Sequence, residues 1–158
     1  MPKPRQSEHN KERLAGYTSD DYHTPAWVFD ELNITFDLDP CSPGQNLSNV
    51  PATHAFTIAD DGLNQPWHGN VFMNPPFSQS KLWVQKFIDH EQGIALLPTS
   101  RSHWFIDIWN TATAIALPNQ LFNFERPDKR KANIFMPVLI IAYGKDNATA
   151  IARLGHAR

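Results

Sequence analysis

The residues best equipped for chemistry are Asn74-Pro75-Pro76-Phe77, which follow the apolar run Val71-Phe72-Met73 and precede Ser78. An apolar run ending in Asn-Pro-Pro reads as a buried strand whose chain turns sharply at its carboxyl end. In open α/β sheets, ligands bind in the crevice at that edge. The two prolines stiffen the turn and offer no N–H. The turn therefore presents acceptors, the Asn74 side-chain oxygen and the Pro75 carbonyl, beside one aromatic face, Phe77. Two acceptors and a π-face suit a planar group bearing an amino substituent, such as a nucleobase. A plain rigid turn with a packed Phe would need no ligand, so the rest of the chain has to separate the two readings.

The elements around this turn are short. Thr24 is a good N-cap and Pro25 sits where a first helical residue would, opening a helix that buries Trp27, Val28 and Leu32. Residues 34–39 alternate as a strand with Asp39 at its carboxyl edge, followed by the turn-rich Pro40-Cys41-Ser42-Pro43-Gly44. A patternless loop then runs from Cys41 to Thr53, and a short strand is expected from His54 to Ile58. Asp60-Asp61-Gly62-Leu63 is a turn. Asn70 to Met73 is the central strand and Ser80 to His90 an amphipathic helix, with Trp83–Phe87 and Val84–Ile88 four apart.

Residues 94–97 form a buried strand stopped by Pro98, and Thr99-Ser100-Arg101-Ser102 its edge loop. Trp104, Phe105 and Ile108 mark a second helix, and 112–117 another strand. Residues 121–124 and 135–143 read as two strands bracketing a basic loop with Arg126, Lys129, Arg130 and Lys131. A helix from Ala148 to Leu154, ended by Gly155, closes the pattern.

Composition narrows the classes. The 158 residues suit one domain, expected over 18–158 behind a polar, loosely ordered arm at 1–17. No apolar run approaches the roughly 18 residues of a membrane-spanning helix, and no signal peptide opens the chain. The single cysteine, Cys41, excludes a disulfide framework and fits a reducing cytoplasm. Seven histidines lack metal-ligand spacing, so no metal is expected. A formal charge of −2 argues against holding nucleic acid by bulk electrostatics and requires a local basic patch instead.

Thr24-Pro25, Asp39-Pro40-Cys41, Asp61-Gly62-Leu63, Trp67 and Asn74-Pro75-Pro76-Phe77-Ser78 follow one another in a single order. Together they resemble the phage-type, Dam-like family of DNA N6-adenine methyltransferases, over roughly Tyr22 to Tyr143. The resemblance implies an α/β, Rossmann-like S-adenosylmethionine-dependent methyltransferase fold, with a mostly parallel sheet and a C-terminal antiparallel hairpin. It assigns Asn74, Pro75, Pro76 and Phe77 to catalysis on a flipped-out adenine of double-stranded DNA. Thr24, Pro25, Asp39, Pro40, Cys41, Asp60 and Asp61 fall to S-adenosylmethionine and its product S-adenosylhomocysteine. Here Asp39 would accept from the ammonium group, and Asp61 or Asp60 from the adenine amino group. Ser78, Arg101, Arg126, Lys129, Arg130 and Lys131 are the candidates for DNA contact. The resemblance also implies a soluble enzyme of phage or prophage origin, acting in the bacterial cytoplasm.

Three features depart from the family pattern. The glycine fingerprint is missing after Asp39, Tyr22-His23 replaces a frequent Trp, and 117–120 lacks a Gly-Arg pair. Other readings stay open on the residues alone. The same turn would serve methylation of RNA or of a protein glutamine. Cys41 after Pro40 would be the nucleophile of a cytosine-C5 enzyme. A non-catalytic DNA-binding remnant of the fold would keep the pattern without the reaction.

Overall fold

In the computed structural model of the chain, the described residues are 23–44, 47–119, 123–125, 131–133 and 138–158, with backbone alone at 123–125 and 131–133. Residues 1–17 lie outside them. Three strands carry most of the apolar side chains: β3 (Val71–Met73), β4 (Gly93–Pro98) and β8 (Val138–Tyr143), each buried along its whole length. Successive side chains of a strand point to opposite faces. Phe72, Ile94, Leu96, Ile140 and Ala142 accordingly pack into one core, and Val71, Met73, Ala95, Leu97 and Ile141 into the other.

Each core is roofed by helices. The first takes Val28, Phe29 and Leu32 of α1 (Ala26–Leu32) and Ala150 and Ile151 of α4 (Lys145–Ile151). The second takes Trp83, Val84 and Phe87 of α2 (Ser80–His90) and Ile108 of α3 (His103–Thr111). The result is a helix–sheet–helix sandwich, the arrangement that strands apolar on both faces require.

The remaining strands are β1 (Phe36–Asp39), β2 (Ala52–Ala55), β5 (Ala114–Pro118) and β9 (Gly155–Ala157), giving a seven-stranded sheet of order β2-β1-β3-β4-β8-β5-β9. β2, β1, β3 and β4 run parallel, while β8 is antiparallel to both β4 and β5, and β9 to β5. The carboxyl ends of β1, β2 and β3 therefore share one edge.

Several elements differ from the sequence expectation. Of the run 135–143, the described residues 138–143 do not pair with the strand before them as a terminal hairpin. They form β8, which inserts between β4 and β5, because a strand apolar on both faces is stable only in the covered centre of the sheet. Residues 123–125 (β6) and 131–133 (β7) form a separate two-stranded ladder. The strand expected at 54–58 is β2 at 52–55, set by the pairing Phe36↔Ala52. Its mostly exposed residues carry no alternation from which to read it. Gly155 does not stop a helix but opens β9, where a Cβ would collide with the Leu117 carbonyl. Finally, α1 begins at Ala26, with Pro25 extended at φ −68°, ψ 151° and no side-chain cap. The reason lies in the site: the Thr24 hydroxyl is engaged elsewhere.

Candidate active site

The shared edge of β1, β2 and β3 opens on a cavity of about 480 Å³. Asp39-Pro40-Cys41 line it from the end of β1, Thr57 and Ile58 from beyond β2, and Asn74 and Pro76 from the turn after β3. Thr24 reaches it from the segment before α1, Asp61-Gly62-Leu63 from the β2–β3 connection, and Trp83 from α2. Seven of the residues singled out in the sequence thus meet here: Thr24, Asp39, Pro40, Cys41, Asp61, Asn74 and Pro76.

Asn74 is held through its side chain. Its Nδ2 donates to Thr24 Oγ1 at 3.0 Å, while its backbone N–H favours the charged form of the neighbouring Cys41 sulfur. Among the described residues, no donor reaches Asn74 Oδ1 or the Pro75 carbonyl. The next two carbonyls are occupied, Pro76 by the Gln79 N–H at 3.0 Å and Phe77 by Ser80 Oγ at 2.9 Å. Among the described residues the turn therefore leaves those two acceptors without a donor, with Pro75 itself buried, and engages the next two carbonyls. Phe77 begins a 3₁₀ turn, Phe77–Gln79, and is half-buried against the core roofed by α1.

Asp39 is buried at the end of β1, with Oδ1 accepting the Cys41 N–H at 3.2 Å. Burial pushes its pKa up to about 7, and that N–H pulls the other way. Burial and the neighbouring Asp39 charge push the Cys41 thiol well above its ordinary value, against the Asn74 N–H. That direction disfavours the thiolate that the nucleophile of a cytosine-C5 reaction would need.

The paired aspartates separate. Asp60 Oδ2 accepts the Thr57 N–H at 2.9 Å and the Thr57 hydroxyl at 3.1 Å, closing the turn Ile58–Asp60, and it does not line the cavity. Asp61 lines it from a left-handed backbone (φ 55°) and accepts from Asn64 Nδ2 at 2.6 Å. The segment after it is pinned from below. Lys86 Nζ donates to the carbonyls of Leu63 and Gln65, and Trp67 Nε1 donates to Gly62 at 2.8 Å. A Cβ on Gly62 would collide with the Pro40 carbonyl, so only glycine lets these two walls touch.

Pro25, Pro75, Phe77, Ser78 and Arg101 do not line the cavity. Ser78 and Arg101 are exposed, Arg101 in the loop after β4. Arg126, Lys129 and Arg130 lie outside the described residues, and Lys131 is described only as backbone in β7. Sequence reasoning missed Asn49, Thr57 and Trp83 as cavity residues. Trp83 reads as core from its helical spacing and is core, but the same ring closes the cavity floor. Its Nε1 is buried with no partner among the described residues. Among the described residues no three His, Cys, Asp or Glu gather as metal ligands, and no helix is long and apolar enough to cross a membrane.

The family described as DNA N-6-adenine-methyltransferase (Dam) matches residues 11–142. No curated protein and no solved structure matches the chain. With the match spanning the cavity, the Asn-Pro-Pro turn and most of the sheet, the chain belongs to the DNA N-6-adenine-methyltransferase (Dam) family.

Proposed function

We propose that the chain methylates the N6 nitrogen of adenine in double-stranded DNA, using S-adenosylmethionine, on a Rossmann-like methyltransferase fold. The observation that carries this reading is the pair of acceptors, Asn74 Oδ1 and the Pro75 carbonyl, that no donor among the described residues reaches, on the turn beside the cavity.

The cavity suits the cofactor. Its volume falls within the range of about 300–1,000 Å³ usual for small-molecule sites. A buried carboxyl, Asp39, stands ready for an ammonium group, and Asp61 for an exocyclic amine. Apolar Leu63, Phe72 and Trp83 offer surface for a ring. When bound, S-adenosylmethionine supplies an electrophilic methyl group on a sulfonium centre.

The protein's own part is positioning. The lone pair of an adenine amino nitrogen is delocalised into the ring and is a poor nucleophile. Asn74 Oδ1 and the Pro75 carbonyl accept its two N–H hydrogens, hold the nitrogen with its lone pair turned to the cavity, and share the positive charge that develops there. An amide suffices for this task of accepting a hydrogen bond. The C–N bond would form as the methyl–sulfur bond breaks, the sulfur keeping that electron pair as the thioether of S-adenosylhomocysteine. The N6 proton then lost would pass to water. The base leaves the duplex to reach this turn, and the exposed part of Phe77 provides a face on which to stack. Ser78 and Arg101 then meet the DNA on the same edge of the sheet, and the basic loop of Arg126, Lys129, Arg130 and Lys131 meets phosphate.

The test is transfer of labelled methyl into unmethylated duplex DNA, followed by nucleoside analysis. Label in N6-methyladenine, absent with Asn74→Ala, is expected. Label in cytosine, or label accepted only by RNA or a protein glutamine, overturns the proposal. Neither label nor cofactor binding would favour a non-catalytic remnant.

A further inference from the structure

Thr24 sits where two lines of contact cross. It is 5% exposed, so its hydroxyl has almost no access to bulk water. That hydroxyl accepts from Asn74 Nδ2 at 3.0 Å, while its carbonyl accepts from Asn49 Nδ2 at 3.0 Å. Pro25 follows with an extended backbone, and the residue before a proline is itself held out of the helical region. Thr24 is therefore a fixed post, anchored on its carbonyl side, with its hydroxyl turned to the amide of the turn.

We propose that Thr24 is a positioning residue for methyl transfer that acts through Asn74. A side-chain amide turns freely about its terminal torsion unless one end is tied. The Thr24 hydroxyl ties Nδ2, and this leaves Oδ1 aimed outward as the acceptor. Thr24 also lines the cavity with Asn49. This assignment rests on the methyl-transfer reading above.

The experiment compares wild type, Thr24→Val, which removes only the hydroxyl at nearly constant shape, and Thr24→Ser, which restores it. Cofactor dissociation constants come from calorimetry, and kcat and KM for DNA from labelled transfer. With Thr24→Val, kcat is expected to fall by about tenfold to a hundredfold, the effect of misplacing one orienting group. The cofactor constant should stay within about twofold, well under the tenfold that 1.4 kcal/mol represents. Thr24→Ser should recover most of kcat. A purely structural role would not split kcat from cofactor binding in this way. If Thr24→Val does not melt cooperatively, Thr24→Ala is judged by the same criteria. An unchanged kcat, or a loss confined to cofactor affinity, overturns the assignment. A wild-type protein that puts no label into adenine overturns the methyl-transfer reading itself.

Discussion

Asn74 and Thr24 are fifty residues apart in the chain, yet the amide nitrogen of one lies 3.0 Å from the hydroxyl of the other. A hydroxyl both donates and accepts, whereas a carboxylate only accepts. Asn74→Asp therefore keeps the contact with its direction reversed and still offers an acceptor to the base. It should retain transfer within about tenfold of wild type, whereas Asn74→Ala should lose at least about a hundredfold, the scale of one preorganised polar group. Initial rates of labelled transfer, with circular dichroism to verify the fold, decide the matter. An alanine variant as active as wild type would remove Asn74 from the mechanism.

Asp39 makes the protein sensitive to pH. Its carboxyl titrates at about 7 in the fold against 3.8 ordinarily, because burial penalises the charge. Between those values the folded state binds more protons than the unfolded one, so stability falls as pH rises. This contribution is complete below 3.8 and lost as pH passes through about 7. Melting temperatures of wild type should decline relative to Asp39→Asn over that window. Cofactor affinity should move the opposite way, rising as Asp39 ionises to meet an ammonium group, and flattening in Asp39→Asn. Calorimetry on either side of neutrality measures this directly.

Gly62→Ala pushes a methyl group against the Pro40 carbonyl and towards the Trp83 ring. Backbone has to yield there, at about 1–3 kcal/mol for an overpacked position. The turn carrying Asp61 should shift away from the β1 loop. Urea unfolding should register the lost stability, and a cofactor titration the widened site. A variant unchanged in both would show that the two walls tolerate separation.

Phe87 provides a control remote from the reacting groups. It is fully buried and meets Tyr143 edge to face, with ring centroids 5.4 Å apart. Phe87→Ala should cost about 3–5 kcal/mol in denaturant unfolding. In protein that remains folded, kcat should be close to wild type. A large loss of kcat at preserved stability would contradict the separation of core from site.

What was legible in the sequence follows the range of the interactions. Val71-Phe72-Met73 and the Trp83–Phe87 spacing announce their elements because the signal is local periodicity. The Asn-Pro-Pro turn was legible because proline removes donors wherever it sits. Thr24 was misread as a helix cap, since nothing near it in the chain shows that Asn74 claims its hydroxyl. Which of Asp60 and Asp61 lines the cavity depended on a single left-handed residue, and β2 on pairing with β1 alone. The neighbours of β8 could not be read because an apolar run declares that it is buried, not between which strands.

The placement of β8 bears on how the protein is made. The residues that wall the cavity all lie between His23 and Trp83, well before β8 in the chain. The sheet behind them remains in two pieces until residues 138–143 slide between β4 and β5. Contacts of such long sequence separation form slowly. During synthesis the edge of β4, apolar and unpaired, waits for a partner encoded some forty residues later, and bare edges of that kind recruit other chains. A ribosome stalled before residue 138 thus leaves a nascent chain with every cavity-lining residue already emerged and its sheet still open to aggregation.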